Sequence, residues 1–471
     1  MTVAIFSKNG LCAILLLVGL LLHSGVIGQA PAYDAEKQYQ YPADPKVRER
    51  ITKWQELKFG LFMHWGPYSQ WDVVESWSIC PEDWAWNQRT GPYAADYFRY
   101  KKAYEALPAT FNPTRFEPRK WALAARSAGM RYMIFTTKHH DGFCMYDSKL
   151  TGYKVTDSSV PFSRTQHPDI TRSLFDAFRD QQFMVGAYFS KPDWHSDDYW
   201  WSYFPPKDRS ENYDRKKYAD RWNRFIQYTN NQIQELMTGY GPISILWLDG
   251  NWANMDIGPA VTSARVHQPG LIVVDRHGLP KYVNYLTPEQ KVPNHYIPVP
   301  WETCMTMGTS WSYKKQEQYK SARQLVQLLI DVVAKNGNLL LNIGPGPDGD
   351  WHSEAYDRLE KIGKWMQING EAIYGTHPLA PYRKGKWAFT QKGADRFALY
   401  LPDSTENTLP AVIATDDWPV EKNALRHIRL LGYPHQLDIR NQSGKQVVQL
   451  SDAVRSSLAN RPAWVFKIHL K

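Results

Sequence analysis

Short apolar runs recur through the middle of the chain, separated by longer stretches with helical periodicity. The runs are Phe59–Trp65, Tyr132–Thr137, Phe183–Phe189, Ile243–Leu248, Leu271–Val274 and Asn338–Ile343. Each is rich in Val, Ile, Leu, Phe or Tyr and too short for a helix, as expected of strands buried on both faces. Amphipathic stretches lie between them at Pro118–Ser127, Asp169–Gln181, Tyr213–Met237, Gln316–Lys335 and Ser353–Ile368. Strands alternating with helices predict a parallel sheet, and the length of the array predicts a (β/α)8-type (TIM-like) barrel over 51–375. A doubly wound open sheet is the rival, but the Gly-rich phosphate loop it normally carries after an early strand is missing.

Beyond Gly375 the texture changes. Short alternating segments such as Arg396–Tyr400, Ala411–Thr415, Gln446–Leu450 and Trp464–Ile468 are divided by Gly, Pro, Asp and Asn turns. They predict a small antiparallel β-sandwich over 376–471. At the other end, residues 31–50 are polar and Pro-containing and read as an extended lead-in. Residues 1–30 hold Lys8, an apolar run from Leu11 to Leu22, and small residues at Gly28 and Ala30. That order is a secretory signal peptide, and the run falls short of the roughly 20 apolar residues of a membrane span. The expected product is free of the membrane after signal removal and extracytoplasmic: secreted, periplasmic or, in a eukaryote, lysosomal.

Composition sharpens this picture in three places. The chain carries 20 Trp and 28 Tyr, whose flat apolar faces and polar tips suit the C–H faces of sugars. Its net charge of +9, or +8 without Lys8, is spread rather than blocked, which argues against nucleic acid as a partner. Once Cys12 leaves with the signal, Cys80, Cys144 and Cys304 allow at most one disulfide. Nothing in the pattern commits the chain to an oligomeric state.

Barrel active sites gather at the C-terminal ends of the strands. The polar residues ending the apolar runs are His64-Trp65-Gly66, Lys138-His139-His140-Asp141-Gly142, Tyr188-Phe189-Ser190, Trp247-Leu248-Asp249-Gly250 and Asp275-Arg276-His277-Gly278. The next element is expected to end near Trp301-Glu302. Together these ends supply His, Trp, Tyr, Arg and two carboxylates, the set that glycoside hydrolysis requires. Metal binding competes for His64, His139 and His140, but neighbours on a strand point to opposite faces and do not readily share one ion. A serine triad lacks its Gly-x-Ser-x-Gly elbow.

The segments Lys58–Gly66, Lys138–Phe143, Trp247–Gly250, Trp301–Cys304, Leu339–Pro345 and Ile368–Tyr374 together resemble, in order, those of the family 29 α-L-fucosidases. The resemblance runs from about Trp54 to Tyr374. It implies a retaining exo-glycosidase acting on terminal α-L-fucose of oligosaccharides or glycoconjugates, with no metal or organic cofactor. It further implies Asp249 as nucleophile and Glu302 as acid/base, with His64, His139, His140, Tyr188, Trp247 and Arg276 on the sugar. Glu75 and Trp77 are added as sugar contacts, although Glu75-Ser76-Trp77 inserts a Ser where many relatives place Glu beside Trp. The leaving group is expected against the segments Asp72–Pro113 and Trp194–Phe204. A retaining glycosidase for another sugar such as galactose, a fucosyl-transferring enzyme and a carbohydrate-binding protein without catalysis are the alternatives.

Overall fold

The computed structural model describes residues 32–421, 425–442 and 444–470; the segment read as a signal peptide lies outside them. Seven parallel strands form the main sheet: β1 Phe59–Met63, β2 Tyr132–Lys138, β3 Met184–Ser190, β4 Ile245–Asp249, β5 Ile272–Asp275, β6 Trp301–Thr306 and β7 Gly337–Asn342. Their order is β5-β4-β3-β2-β1-β7-β6. The intervening helices are α3 Tyr97–Glu105, α4 Pro118–Ser127, α5 Ile170–Asp180, α6 Ala219–Gly239, α7 Gly258–His267, α8 Ala322–Ala334 and α9 Ser353–Asn369, after α1 Ala32–Gln38 and α2 Pro45–Leu57 at the start. The alternation read from the sequence is therefore present, with seven regular strands.

The place between β5 and β6 is taken by an irregular segment. Val283 bridges Val274 of β5, while Leu286 and Glu289 bridge Trp301 and Cys304 of β6 in parallel. The Asn284 N–H donates to the Val273 carbonyl at 3.0 Å, the Glu302 N–H to the Leu286 carbonyl at 2.8 Å, and the Gln290 N–H to the Cys304 carbonyl at 3.0 Å. Pro288 has no N–H for a ladder, so this eighth stave cannot become a regular strand. One expectation is corrected here. Trp301-Glu302 opens β6 instead of ending a strand, and Glu302 pairs with Asn338, the second residue of β7. Glu302 thus belongs to the N-terminal floor of the barrel.

The floor is sealed by α2. Asp44 accepts from the Lys46 N–H at 2.8 Å and Pro45 opens the first turn, both ordinary helix-start devices. Val47, Ile51 and Trp54 share one helical face and join the barrel interior with Phe62, Tyr132 and Ile134. Trp54 stacks on Tyr285 at 4.1 Å between centroids. The expected extended lead-in over 31–50 is therefore corrected to two helices. Asp-Pro before an apolar i, i+4, i+7 series was the signal for the second.

After α9 the chain turns to antiparallel strands: β8 His377–Lys384, β9 Trp387–Lys392, β10 Asp395–Tyr400, β11 Val412–Ala414, β12 Leu425–Leu430, β13 Gln436–Leu437, β14 Ile439–Gln442, β15 Lys445–Gln449 and β16 Trp464–Leu470. They form a six-stranded sheet and a three-stranded one. Phe389, Ile413, Ile428, Val448 and Phe466 share one core cluster drawn from both sheets. Alternate residues of β10, Phe397 and Leu399, join the core of the barrel instead, as the two-residue period of a strand requires. The Trp365 indole of α9 donates to the Ala463 carbonyl at 2.9 Å and ties the two layers together.

Candidate active site

Strand β4 reads Ile-Leu-Trp-Leu-Asp, so Ile245, Trp247 and Asp249 share its inward face, while Leu246 and Leu248 pack outward. Asp249 is the last residue of the strand. Gly250 follows with φ 81°, and a Cβ there would lie 2.2 Å from the Pro192 ring, so only glycine makes this turn. The Asp249 carboxylate receives the Tyr188 hydroxyl at 3.0 Å and Arg276 Nη1 at 3.4 Å. His140 Nε2 stands 3.9 Å away. Burial pushes this carboxyl up, but Arg276, His140, the Gly250 N–H and Tyr188 outweigh it and hold it at about 2. Asp249 is an anion across the physiological range.

Arg276 does more than pair with Asp249. Its Nη2 lies 2.5 Å from Glu289 Oε2, so one guanidinium joins the two carboxylates. Both line a cavity of about 740 Å³ at the C-terminal end of the strands. Of the residues expected in the site, His64, Glu75, Trp77, His139, Tyr188, Trp247 and Arg276 line this same cavity. His140 stands behind the wall, with its Nδ1 2.7 Å from Ser190 Oγ.

The histidines are held neutral. Burial pushes His64 down to about 4, His140 to about 3 and His139 well below the usual range. The Asn342 amide donates to the Trp311 carbonyl at 2.6 Å, which turns its oxygen toward His64 Nδ1 at 2.8 Å. His64 therefore donates from Nδ1 and keeps Nε2 as an acceptor for a hydroxyl. His139 Nδ1 is hydrogen-bonded to Ser76 Oγ, so the serine inserted between Glu75 and Trp77 has a defined partner. His139 and His140 stand 4.1 Å apart between ring centroids, because both lie past the end of β2, where strand alternation no longer separates them. Among the described residues, no group of three or more His, Cys, Asp or Glu side chains is arranged to hold a metal ion.

Of the two expected glutamates, only Glu75 lines the cavity. Glu302 is 0% exposed, accepts from the Tyr132 hydroxyl at 2.7 Å and from the Trp247 indole at 3.4 Å, and does not line the cavity. Gly60 makes room for this arrangement, since a Cβ there would lie 2.4 Å from the Tyr132 ring. Burial pushes Glu302 up to about 7. The expectation that Glu302 faces Asp249 is corrected by the register of β6, which starts the strand at Trp301. Glu75 does line the cavity; it sits at φ 33° and accepts from the Ser312 N–H at 2.8 Å. Burial pushes it up to about 8, so it is a neutral acid at physiological pH.

The sequence reading missed Glu289, Trp252 and Trp311, all on the cavity wall, and none of them ends an apolar run; His277, named at the end of its run but given no role, lines the cavity too. Glu289 has one weak signal, a carboxylate between a Pro and a Gln shortly before β6.

A family model described as alpha-L-fucosidase matches residues 26–371. A plasma alpha-L-fucosidase of Rattus norvegicus is 28% identical over 387 residues, which are 76% of this chain and 79% of the relative. The solved structure of alpha-L-fucosidase isoenzyme 1 from Paenibacillus thiaminolyticus superposes with a TM-score of 0.74 at 30% identity, covering 90% of this chain and 100% of that one. The Thermotoga maritima alpha-fucosidase, solved in complex with fucose, has a TM-score of 0.68 at 25% identity and covers 91% of this chain and 100% of its own. A family match over most of the chain, on a barrel whose strand ends meet around an anionic Asp249, leads to one conclusion: this chain belongs to the α-L-fucosidase family.

Proposed function

We propose that this chain is a retaining exo-α-L-fucosidase in which Asp249 is the nucleophile and Glu289, not Glu302, is the general acid/base. The observation that carries it is Arg276, whose two terminal nitrogens reach Asp249 and Glu289 across one cavity. A shared guanidinium is compatible with the separation of about 5–5.5 Å expected of a retaining pair. Glu75 also lines the cavity, but the acid/base must later deprotonate water. The Glu289 side chain is 25% exposed, whereas Glu75 is 1% exposed.

In the first step an Asp249 oxygen bonds to C1 of fucose. The bond from C1 to the leaving oxygen breaks with its electron pair on that oxygen, which takes the proton of Glu289. Once Asp249 is esterified, Glu289 is the remaining carboxylate partner of Arg276 in the cavity. Water then attacks C1, Glu289 takes its proton, and Asp249 leaves as the anion. Neutral His64 and His139 bond the sugar hydroxyls, while Phe62 and Trp311 offer apolar surface for the C6 methyl, which favours fucose over galactose. The test is turnover of aryl α-L-fucoside beside aryl galactosides. Hydrolysis of the fucoside alone, lost in Asp249→Ala, is expected; equal rates for wild type and variant on every substrate overturn the reading.

Residues 1–30 are proposed as a cleaved leader that sends the enzyme out of the cytoplasm. Among the described residues no helix is long and apolar enough to cross a membrane. N-terminal sequencing of the exported protein tests this; a product that still begins at Met1 overturns it. The proposed division is 51–375 for the catalytic barrel and 376–471 for the sandwich.

A further inference from the structure

The cavity extends beyond the residues that surround Asp249. Its outer part is lined by Glu82, Trp84, Trp86, Asp208, Arg209 and Ser210. Trp84 and Trp86 are stacked at 4.9 Å with planes 13° apart, and Trp77 meets both edge-on. Trp86 nonetheless stays 51% exposed. A tryptophan half in water, backed by a second and opening on a cavity, is a poor core residue and a ready face for a ligand.

This wall is built from three different loops. Arg209 lies 4.3 Å from the Trp84 ring centre, 5.5 Å from Trp77 and 5.3 Å from Trp252. Its Nε is 2.9 Å from Glu82. The Arg209 carbonyl receives the Trp194 indole at 3.1 Å and the Tyr199 hydroxyl at 3.0 Å, and the Ser210 carbonyl receives the Trp200 indole at 2.8 Å. Segments following β1, β3 and β4 are thus locked together at one arginine before any ligand arrives. Preorganisation of this kind lowers the ordering cost of binding. Because Glu82 neutralises Arg209, and Asp208 adds a negative charge beside them, the wall offers no excess cation to an anionic group.

We propose that Trp86, backed by Trp84, is the stacking face of a leaving-group subsite that receives a neutral sugar ring of a fucosylated oligosaccharide. The inference rests on the fucosidase reading and deepens it, naming an extended neutral glycan as the substrate class. An apolar C–H face of the ring lies on Trp86, and Glu82, Asp208 and Ser210 stand beside it for the hydroxyls.

The test compares kcat/KM for α-L-fucosyl fluoride, whose leaving group is one atom, with that for a neutral fucosylated trisaccharide. Trp86→Ala is expected to lower the ratio of trisaccharide to fluoride about tenfold, mainly through KM, and Trp86→Phe to recover most of the loss. Equal effects on both substrates, or none on either, overturn the subsite. Calorimetric binding of the trisaccharide to Asp249→Ala, and to the same variant with Trp86→Ala, separates the two readings. Absence of wild-type turnover overturns the hydrolase reading, whereas equal affinity of the two variants overturns the subsite.

Discussion

Glu289 bridges Cys304, and Cys304 stands two residues beyond Glu302 on β6. Two glutamates on adjacent staves therefore lie at different heights. Glu289 opens on the cavity beside Arg276, and Glu302 lies at the floor against Tyr132. Their roles should separate in the same way.

Glu289→Gln is expected to lower kcat on an aryl fucoside with a poor leaving group by about 10²–10⁴-fold, the range lost with a general acid. The loss should be smaller for a leaving group that needs no proton. Glu302→Gln is expected to stay within about tenfold of wild type, because an amide still accepts from Tyr132 and Trp247. Steady-state kinetics on a leaving-group series decides the matter, and the reverse ranking would return the acid/base role to Glu302.

The buried Glu302 also makes stability depend on pH. Its carboxyl rises from 4.5 in the unfolded chain to about 7 in the fold, so the folded state holds the proton more tightly. The stability it contributes is complete below about pH 4.5 and is lost as pH rises through about 7. Glu302→Gln has no such loss. Glu75, raised to about 8, titrates over an overlapping range but is common to both proteins. From pH 5 to pH 8, the unfolding free energy of the variant should gain about 2 kcal/mol on that of wild type. Parallel denaturant titrations at the two pH values would show this, and a constant difference would contradict the burial argument.

Replacing Asp249 leaves room for a substitute nucleophile. Asp249→Gly should lose about 10⁴-fold in kcat on aryl α-L-fucoside. Azide should restore part of the rate by attacking from the face vacated by the carboxylate. The product would be the β-configured fucosyl azide, identifiable by NMR. Recovery of the α-anomer would count against Asp249 as the attacking group.

Arg276 holds Asp249 ionised, so its removal should be visible in a pH profile. Arg276→Met withdraws the nearest cation, and the Asp249 carboxyl should rise by about 1–3 units from about 2. Because the attacking form is the anion, the acid limb of kcat/KM should move to higher pH by that interval. An unchanged limb, with only the maximum lowered, would make Arg276 a substrate contact alone.

Much of this molecule was legible along the chain. The helix at Pro118–Ser127 follows from its amphipathic spacing, and α5 and α9 lie within a residue or two of the stretches read for them. The strand ends at His64, Tyr188, Asp249 and Arg276 were visible because a parallel strand buried on both faces is an apolar run that stops where solvent begins. The helix at Pro45–Leu57 has a polar composition that reads as an extended lead-in, and its signal lies in the Asp44-Pro45 start. The cavity tryptophans Trp84, Trp86, Trp252 and Trp311 carried no strand or helix period, since they lie outside the regular strands and α-helices.

By itself, the sequence placed His64, Tyr188, Asp249 and Arg276 at strand ends, and so brought Asp249 to histidines and an arginine at one end of a barrel, but it put Glu302 at the wrong end of its strand. Only the tertiary structure decided which glutamate joins Asp249. Period and composition report local conformation, whereas the height of Glu289 against β6 depends on how an irregular stave closes the gap between β5 and β6. That closure is set by hydrogen bonds from Asn284 to Val273 and between Leu286, Gln290 and β6, partners that no local pattern names.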